Sequence, residues 1–350
     1  MNTDPPLRTW FARAQRQAAQ GAWPVWRQAL EAACLWATRG LGPNYYLAAR
    51  LGRRSLSWRT KTRHTTPREY GALIDRLNPA PYRKASQHKV LEKGVLSLLG
   101  LPTPRFVAFF HAERGRDGQG RALTDAQALK ALLASHSAQR LCFKPVEGYG
   151  GAGFRSLDVL PGGDALQHPV TQATLSTTDL SAELLQSPDG WLIEAYQVQH
   201  PSLAALNPSS LNTLRLWVLD RGDGPRITHA LLRVGRAGVQ VDNTSQGGLV
   251  VRVDVATGRT LAGPDVHQPE RWLSHHPDSG VPLADLALPH WPAVHTLAEQ
   301  ALCAFPHMRF AGLDVALAPE GPVLIEVNVH PDSIGALTFD LALNDYFEGL

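Results

Sequence analysis

Residues 141–159, LCFKPVEGYGGAGFRSLDV, constrain the fold more than any other stretch of the chain. An apolar run of strand character ends at Lys144-Pro145, Glu147 follows, and Gly148, Gly150, Gly151 and Gly153 precede a second strand. Backbone this permissive serves either a hairpin turn that needs positive φ or a lid whose N–H groups wrap a polyphosphate, with Lys144 as counter-charge. It is not a P-loop: the lysine precedes the glycines, and no Gly-Lys-Ser/Thr opens a helix.

The second informative stretch is GLDVALAPEGPVLIEVNVHPD, residues 312–332, which reads as two strands around a short turn between Pro319 and Pro322. Pairing about that turn brings Asp314 near Glu326 or Asn328. Side chains two apart on a strand share a face, so Glu326 and Asn328 point together. Val315, Leu317, Leu324, Ile325 and Val327 fill the positions between. Acids among aliphatics need a positive partner, and no lysine or arginine is near in sequence. A hard divalent cation such as Mg²⁺ meets the need; an edge strand facing solvent is the bland reading.

Composition sets the outer bounds. At 350 residues, 44% hydrophobic and 19% charged, the chain is of soluble, globular type with room for two or three packed units. No run reaches the roughly 18 apolar residues of a membrane span, and MNTDPPLRTWFARAQRQ lacks a secretion signal's apolar core. Cys34, Cys142 and Cys303 lie far apart without metal spacing, so free thiols in the cytoplasm are expected. The net charge of +3 is uneven: residues 1–70 carry twelve Arg/Lys against Asp4, Glu31 and Glu69, hence +9, leaving −6 for the rest. Five of the nine tryptophans, Trp10, Trp23, Trp26, Trp36 and Trp58, share that segment. It suits peripheral contact with an anionic membrane or a glycan assembly; a helical unit with a solvated basic face and Trp in its core is the alternative. Nucleic acid is not an expected partner.

Residues 7–60 read as helices broken at Trp23-Pro24 and at residues 40–43, and Pro67 with the stretch 78–81 marks a boundary. A helix over 86–99, capped by Ser86, carries an apolar stripe at 90, 91, 95, 98 and 99; Thr124 caps another. Strands are expected at RFVAFF, LCFKP, RSLDVL and WLIEAYQV, then longer ones at LNTLRLWVLD, RITHALLRVG and GGLVVRVDV, with helices near 177–186 and 292–305. The mixture lacks strict βαβ alternation, which predicts an α+β fold of two lobes.

In this order the motifs resemble the ATP-grasp superfamily over roughly residues 84–335. Lys89, thirteen residues before Pro102 in GLPTP, matches the family's first lysine, and Lys144 in FKP matches the second. The resemblance implies that both contact α- and β-phosphate oxygens of ATP, and that Glu147, Gly148, Gly150, Gly151 and Gly153 belong to the lid. It implies further that Glu194 in WLIEAY marks the hinge strand beside adenine, and that Asp314, Glu326 and Asn328 ligate Mg²⁺, with Mn²⁺ as an alternative. No ribose-binding acid is evident; His200 occupies its place. NTLR, LRVG and DNTSQGG, with PNYYLAARL and NPAPYRKASQHK, look like the sugar-transfer-associated branch, related to α-L-glutamate ligases. Arg233, Arg215 and Asn212 are the candidates for handling the transferred phosphoryl group and acceptor, unless the arginines pair with Asp220 or Asp254.

The implied fold is two α/β lobes clasping a nucleotide, with a helical N-terminal extension. Residues 1–80 form the basic Trp-rich segment, 81–140 a linker helix and first strands, 141–205 the glycine-lid lobe, and 206–350 the catalytic and Mg-binding lobe. The implied chemistry is a ligase that activates a small-molecule carboxylate as an acyl phosphate for attack by an amine or hydroxyl, in polysaccharide or cell-surface biosynthesis. Two rivals stay open. One is a kinase using the same site, with His267, His275, His276 or His330 as base. The other is a non-catalytic nucleotide-binding scaffold of a glycan assembly.

Overall fold

A computed structural model describes residues 7–148, 150–266 and 271–350. The chain opens with helices α1 (Leu7–Ala19), α2 (Val25–Arg39), α3 (Pro43–Ala48), α4 (Trp58–Thr62), α5 (Pro67–Leu77), α6 (Ala80–Gln87) and α7 (Lys89–Leu98). Pro43 and Pro67 stand at first helical positions, where a missing N–H costs nothing, and Pro79 precedes α6. The prolines read as a boundary thus each open a helix.

Two details of capping differ from expectation. Ser86 lies inside α6 and donates to the Val327 carbonyl; the break falls at His88, whose ring accepts from the Leu91 N–H. Asp125, not Thr124, caps α8 (Ala126–Ala134). The α7 stripe also turns out differently. Leu91, Leu98 and Leu99 are exposed, whereas Glu92, Lys93 and Leu96 are buried, because the inward face meets Glu194 and the Val327 backbone N–H.

One antiparallel sheet contains β1 (Phe106–Phe110), β2 (Arg116–Asp117), β3 (Arg140–Pro145), β4 (Arg155–Val159), β5 (Ala165–Gln167), β6 (Thr174–Ser176) and β7 (Trp191–Ala195), in the order β2-β1-β7-β3-β4-β5-β6. Helices α8 and α9 (Thr177–Leu184) cover it, setting Leu129, Leu133, Leu180 and Leu184 into one core with Phe110, Phe143 and Ile193. After α10 (Pro201–Ala204) comes a second antiparallel sheet: β8 (Thr213–Asp220), β9 (Pro225–Val234), β10 (Leu249–Val253) and β11 (Thr260–Leu261). A separate ribbon, β12 (Gly263–Pro264) with β13 (Trp272–Leu273), and helix α11 (Trp291–Cys303) precede β14 (Phe310–Ala318) and β15 (Gly321–Asn328). The order is β11-β10-β9-β8-β14-β15.

Period-two alternation sorts this sheet's side chains. Leu214, Leu216, Val218, Leu313, Val315 and Leu317 enter the core with Leu297 and Ala301 of α11. The other face carries Thr213, Arg215 and Asp314 at one end, and passes to Trp217 and Phe310 at the other, which pack with Tyr70, Ile74 and Leu77 of α5. The architecture is α+β with two sheets, as expected.

The first helices share a core of Trp10, Leu35, Tyr46, Leu47 and Leu51. Arg50 and Arg53 pair with Asp340, and Arg63 with Asp345 and Glu348, tying this unit to the end of the chain. Trp10 is the buried one of the five N-terminal tryptophans; Trp26, Trp36 and Trp58 are exposed and Trp23 is half-buried. Among the described residues no helix is long and apolar enough to cross a membrane.

Candidate active site

A cleft lies where the two sheets face each other, walled by β3, the glycine loop, the end of β7, β8, β9 and the β14–β15 hairpin. Lys89, Lys144, Glu194, Arg215, Arg233, Asp314, Glu326 and Asn328 all line it, as do Gly148, Gly150 and Gly151. Residues far apart in sequence therefore converge.

The β3–β7 pair sets one wall. Cys142 lies opposite Glu194, and Lys144, two positions on, shares the face of Cys142. Glu194 is 1% exposed and bears two cations: Lys144 Nζ lies 2.7 Å from its Oε2, and Lys93 Nζ contacts Oε1. Burial would push the Glu194 carboxyl up, but the two lysines outweigh it and hold it below the ordinary carboxylate value. Burial likewise works against charged Lys144, and Glu194 reverses it, raising Lys144 above the ordinary lysine value. Lys93 stays lowered by its own burial despite Glu194. Burial pushes the Cys142 thiol up to about 12, so it is no nucleophile at neutral pH.

The second sheet sets the other wall. Asp314 pairs in register with Arg215 of β8 and Glu326 of β15. Arg215 Nε lies 2.7 Å from Asp314 Oδ1, and Arg233 Nη2 2.8 Å from Oδ2. The arginines thus pair with Asp314 rather than with Asp220, which accepts from Gly222 and Gly224 N–H, or Asp254, which accepts from Thr257. The expectation that Asp314 lacks a cationic partner holds in sequence and fails in space, because antiparallel pairing sets β8 beside β14. Arg233 also meets the Thr213 hydroxyl and lies 3.7 Å from buried Asp242. Burial disfavours its charge, and Asp242 and Asp314 together keep it above the ordinary guanidinium value. Lys89 Nζ donates to the Gly148 carbonyl at 3.1 Å and lies 3.5 Å from Glu326 Oε1, so it touches both walls.

The donor set of Asp314, Glu326 and Asn328 consists of hard oxygens on one face of a hairpin, which suits Mg²⁺. Among the described residues no group of three or more His, Cys, Asp or Glu gathers to hold a metal; here the third donor is an amide. Asn328 Nδ2 is buried without a hydrogen-bond partner; that N–H donor suits a phosphate oxygen, and the Oδ1 of the same amide is the atom that would face a cation. Both Asp314 oxygens touch a guanidinium, but a carboxylate has about four acceptor positions and retains room for a cation.

Several expectations need correction. Asn212 does not line the cleft: fully buried, its amide donates to Gln199, Leu203 and Asn207 and accepts from the Gly235 N–H, which makes it a core hub. Glu147 pairs with Lys84 at 2.5 Å outside the cavity. Gly153 has φ 76°, and a Cβ there would meet Pro145 Cγ at 2.9 Å, so it serves the turn and is not part of the lining. His200 caps α10 through Ser202 and stands away from the cleft, where Gln197 lines the wall. His275 bonds Ser274, His276 bonds the Gly235 carbonyl, and His330 lies tilted against Tyr70; none lines the cleft, and His267 lies outside the described residues.

Lys93, Glu92, Asp242 and Gly312 escaped the sequence reading. Lys93 follows Lys89 by one helical turn in a chain with six lysines, a usable signal. Gly312 leaves room for Arg215, since a Cβ would come 3.0 Å from Nη1; a glycine inside an apolar strand signals such close approach.

No curated protein matches the chain. Solved structures that resemble it include carboxyaminoimidazole ribonucleotide synthase from Aspergillus clavatus with ATP (15% identity, 71% of this chain and 46% of that one, TM-score 0.41). Others are L-amino acid ligase from Bacillus licheniformis (12%, 76% and 49%, 0.41) and D-cycloserine synthetase DcsG (15%, 87% and 93%, 0.43). The chain spans about half the length of the first of these. The sequence profile described as sugar-transfer associated ATP-grasp matches residues 70–344, most of the chain, and the protein belongs to that family.

Proposed function

We propose that the protein is an ATP-dependent ligase that activates a small-molecule carboxylate as an acyl phosphate and passes it to an amine or hydroxyl. The observation that carries this reading is the meeting of Lys89, Lys144, Arg215 and Arg233 with Asp314, Glu326 and Asn328 around one cleft roofed by glycines. Lys89, Lys144 and the loop N–H groups hold the phosphate chain, and Glu194 keeps Lys144 charged and in place. Asp314, Glu326 and Asn328 are the residues that would hold Mg²⁺ (or Mn²⁺), which when bound neutralises charge on the phosphates.

The substrate carboxylate oxygen attacks the γ-phosphorus and ADP leaves. The acceptor then displaces inorganic phosphate from the acyl carbon and loses a proton. Arg233 and Arg215 face the charge that spreads over the transferring group. No covalent enzyme intermediate is involved, and positioning supplies the rate. Closure of residues 147–154 keeps water from the acyl phosphate. A role in polysaccharide or cell-surface biosynthesis in the cytoplasm is part of the proposal, as is the division of the chain into N-terminal segment, lid lobe and catalytic lobe.

The test is incubation with Mg-ATP and pools of carboxylates, with hydroxylamine as trap. Hydroxamate with matching phosphate release is the expected outcome. A stable phosphoester would make it a kinase, and ATP binding without turnover a scaffold.

A further inference from the structure

The outward half of α2 has nothing in the described fold to pack on. At 3.6 residues per turn, Trp26, Leu30, Ala33 and Ala37 form one stripe, flanked by Cys34 and Trp36, and all six are exposed. The three large ones are 67% (Trp26), 64% (Leu30) and 65% (Trp36) exposed. The opposite face supplies the core through Gln28, Ala32 and Leu35. The helix's charged residues, Arg27, Glu31 and Arg39, stand off the outward stripe. A scattered exposed Leu is ordinary; a contiguous apolar stripe with two tryptophans is an unpaid contact.

Charge beside the stripe indicates the occupant. Arg27 Cζ lies 3.4 Å from the Trp23 ring centroid and Arg54 Cζ lies 5.2 Å from it, so two guanidiniums border the start of α2. Glu31, the acid of the helix, is held by Lys61, Tyr46 and Arg27, whose Nε lies 3.3 Å from it, so its charge is already met within the fold. Residues 1–70 carry +9 in sequence, and with Arg50, Arg53 and Arg63 paired to Asp340, Asp345 and Glu348 the excess on this unit is still positive. Tryptophan suits a boundary where its body is in apolar surroundings and its N–H is wet. We propose that α2 is an interfacial helix by which the protein docks on an anionic lipid bilayer. Trp26, Leu30 and Trp36 enter the boundary between headgroups and acyl chains, and Arg27 and Arg54 meet lipid phosphates. This goes beyond the nucleotide reading and does not depend on it.

The full chain is co-sedimented with vesicles of phosphatidylcholine alone and of phosphatidylcholine with phosphatidylglycerol. Binding to the mixed vesicles, weakening as salt rises, and a blue shift of tryptophan emission are expected. Trp26→Ser with Leu30→Ser lowers partitioning by about tenfold or more while circular dichroism and the unfolding midpoint stay unchanged. Arg27→Ala with Arg54→Ala removes most of the preference for anionic vesicles. Three results overturn the proposal: no vesicle binding; binding indifferent to both double variants; or a dimer in light scattering that the Trp26/Leu30 variant dissolves, which would give the face to a second copy.

Discussion

Lys144 Nζ lies 2.7 Å from Glu194 Oε2 across the β3–β7 pair, and Lys93 holds the same carboxylate through its other oxygen. Arg215 and Arg233 share Asp314 in the same manner on the facing sheet. The cleft therefore carries cations already taken from water, each with a built-in counter-ion. A polyphosphate entering it finds charges that need no further desolvation.

Glu194 and Lys144 should separate in experiment. Glu194→Gln leaves two buried ammonium groups with no carboxylate and costs about 3–5 kcal/mol of stability. Lys144→Met leaves Glu194 with Lys93, so it costs less, yet weakens Mg-ATP binding by about tenfold or more. Urea unfolding and titration calorimetry on both variants check the contrast; equal stability losses would contradict it.

Asp314 and Glu326 predict a second contrast. Asp314→Asn strands the Arg215 guanidinium and leaves Arg233 with Asp242 alone, and destabilises by about 3–5 kcal/mol. The Glu326 side chain is 31% exposed with Lys89 3.5 Å away. Glu326→Gln therefore costs less than about 1 kcal/mol, but abolishes most of the Mg²⁺ dependence of ATP affinity. Comparing ATP titrations with and without Mg²⁺ reads this out, and an unchanged Mg²⁺ dependence would remove Glu326 from the metal reading.

Strand periodicity, turns and the spacing of Lys144, the glycines, Asp314 and Glu326 were legible because each depends on local pattern. The clasp of Asp314 by arginines was not, because it depends on β8 pairing with β14, about a hundred positions away. Asn212 looked chemical in NTLR because an amide is as useful in a core hub as in an active site; only its partners distinguish the two. The α7 stripe misled for a related reason. Apolar spacing points to the core only when the facing surface is apolar, and here that surface offers Glu194 and the Val327 backbone to Lys93 and Glu92.

Gly151 has φ 74°, and a Cβ there would stand 2.6 Å from Asn243 Nδ2. Gly151→Ala therefore strains the backbone by about 1–2 kcal/mol and displaces Asn243, weakening nucleotide binding. Gly148→Ala meets only Pro145 Cβ at 3.7 Å and should be tolerated in both respects. Thermal unfolding and ATP titration of the pair decide it; equal effects would mean that the loop rearranges on binding.

Glu92 is buried beside Glu326 and accepts the Val327 N–H. Burial, then the charge of Glu326, raises its carboxyl well above the ordinary 4.5. The folded protein thus keeps a proton on Glu92 where the unfolded chain has lost it, so this group's contribution to stability falls as pH rises from 4.5 through the raised folded value. Glu92→Gln keeps an acceptor for Val327 and removes that proton uptake. The variant should be more stable than the parent by about 1–3 kcal/mol at neutral pH, and the difference should vanish in acid, where both forms are neutral. Urea unfolding of the two proteins across this range measures the difference directly, since every other titrating group is common to both. A difference that does not change with pH would mean that Lys89 and Lys93 hold Glu92 ionised.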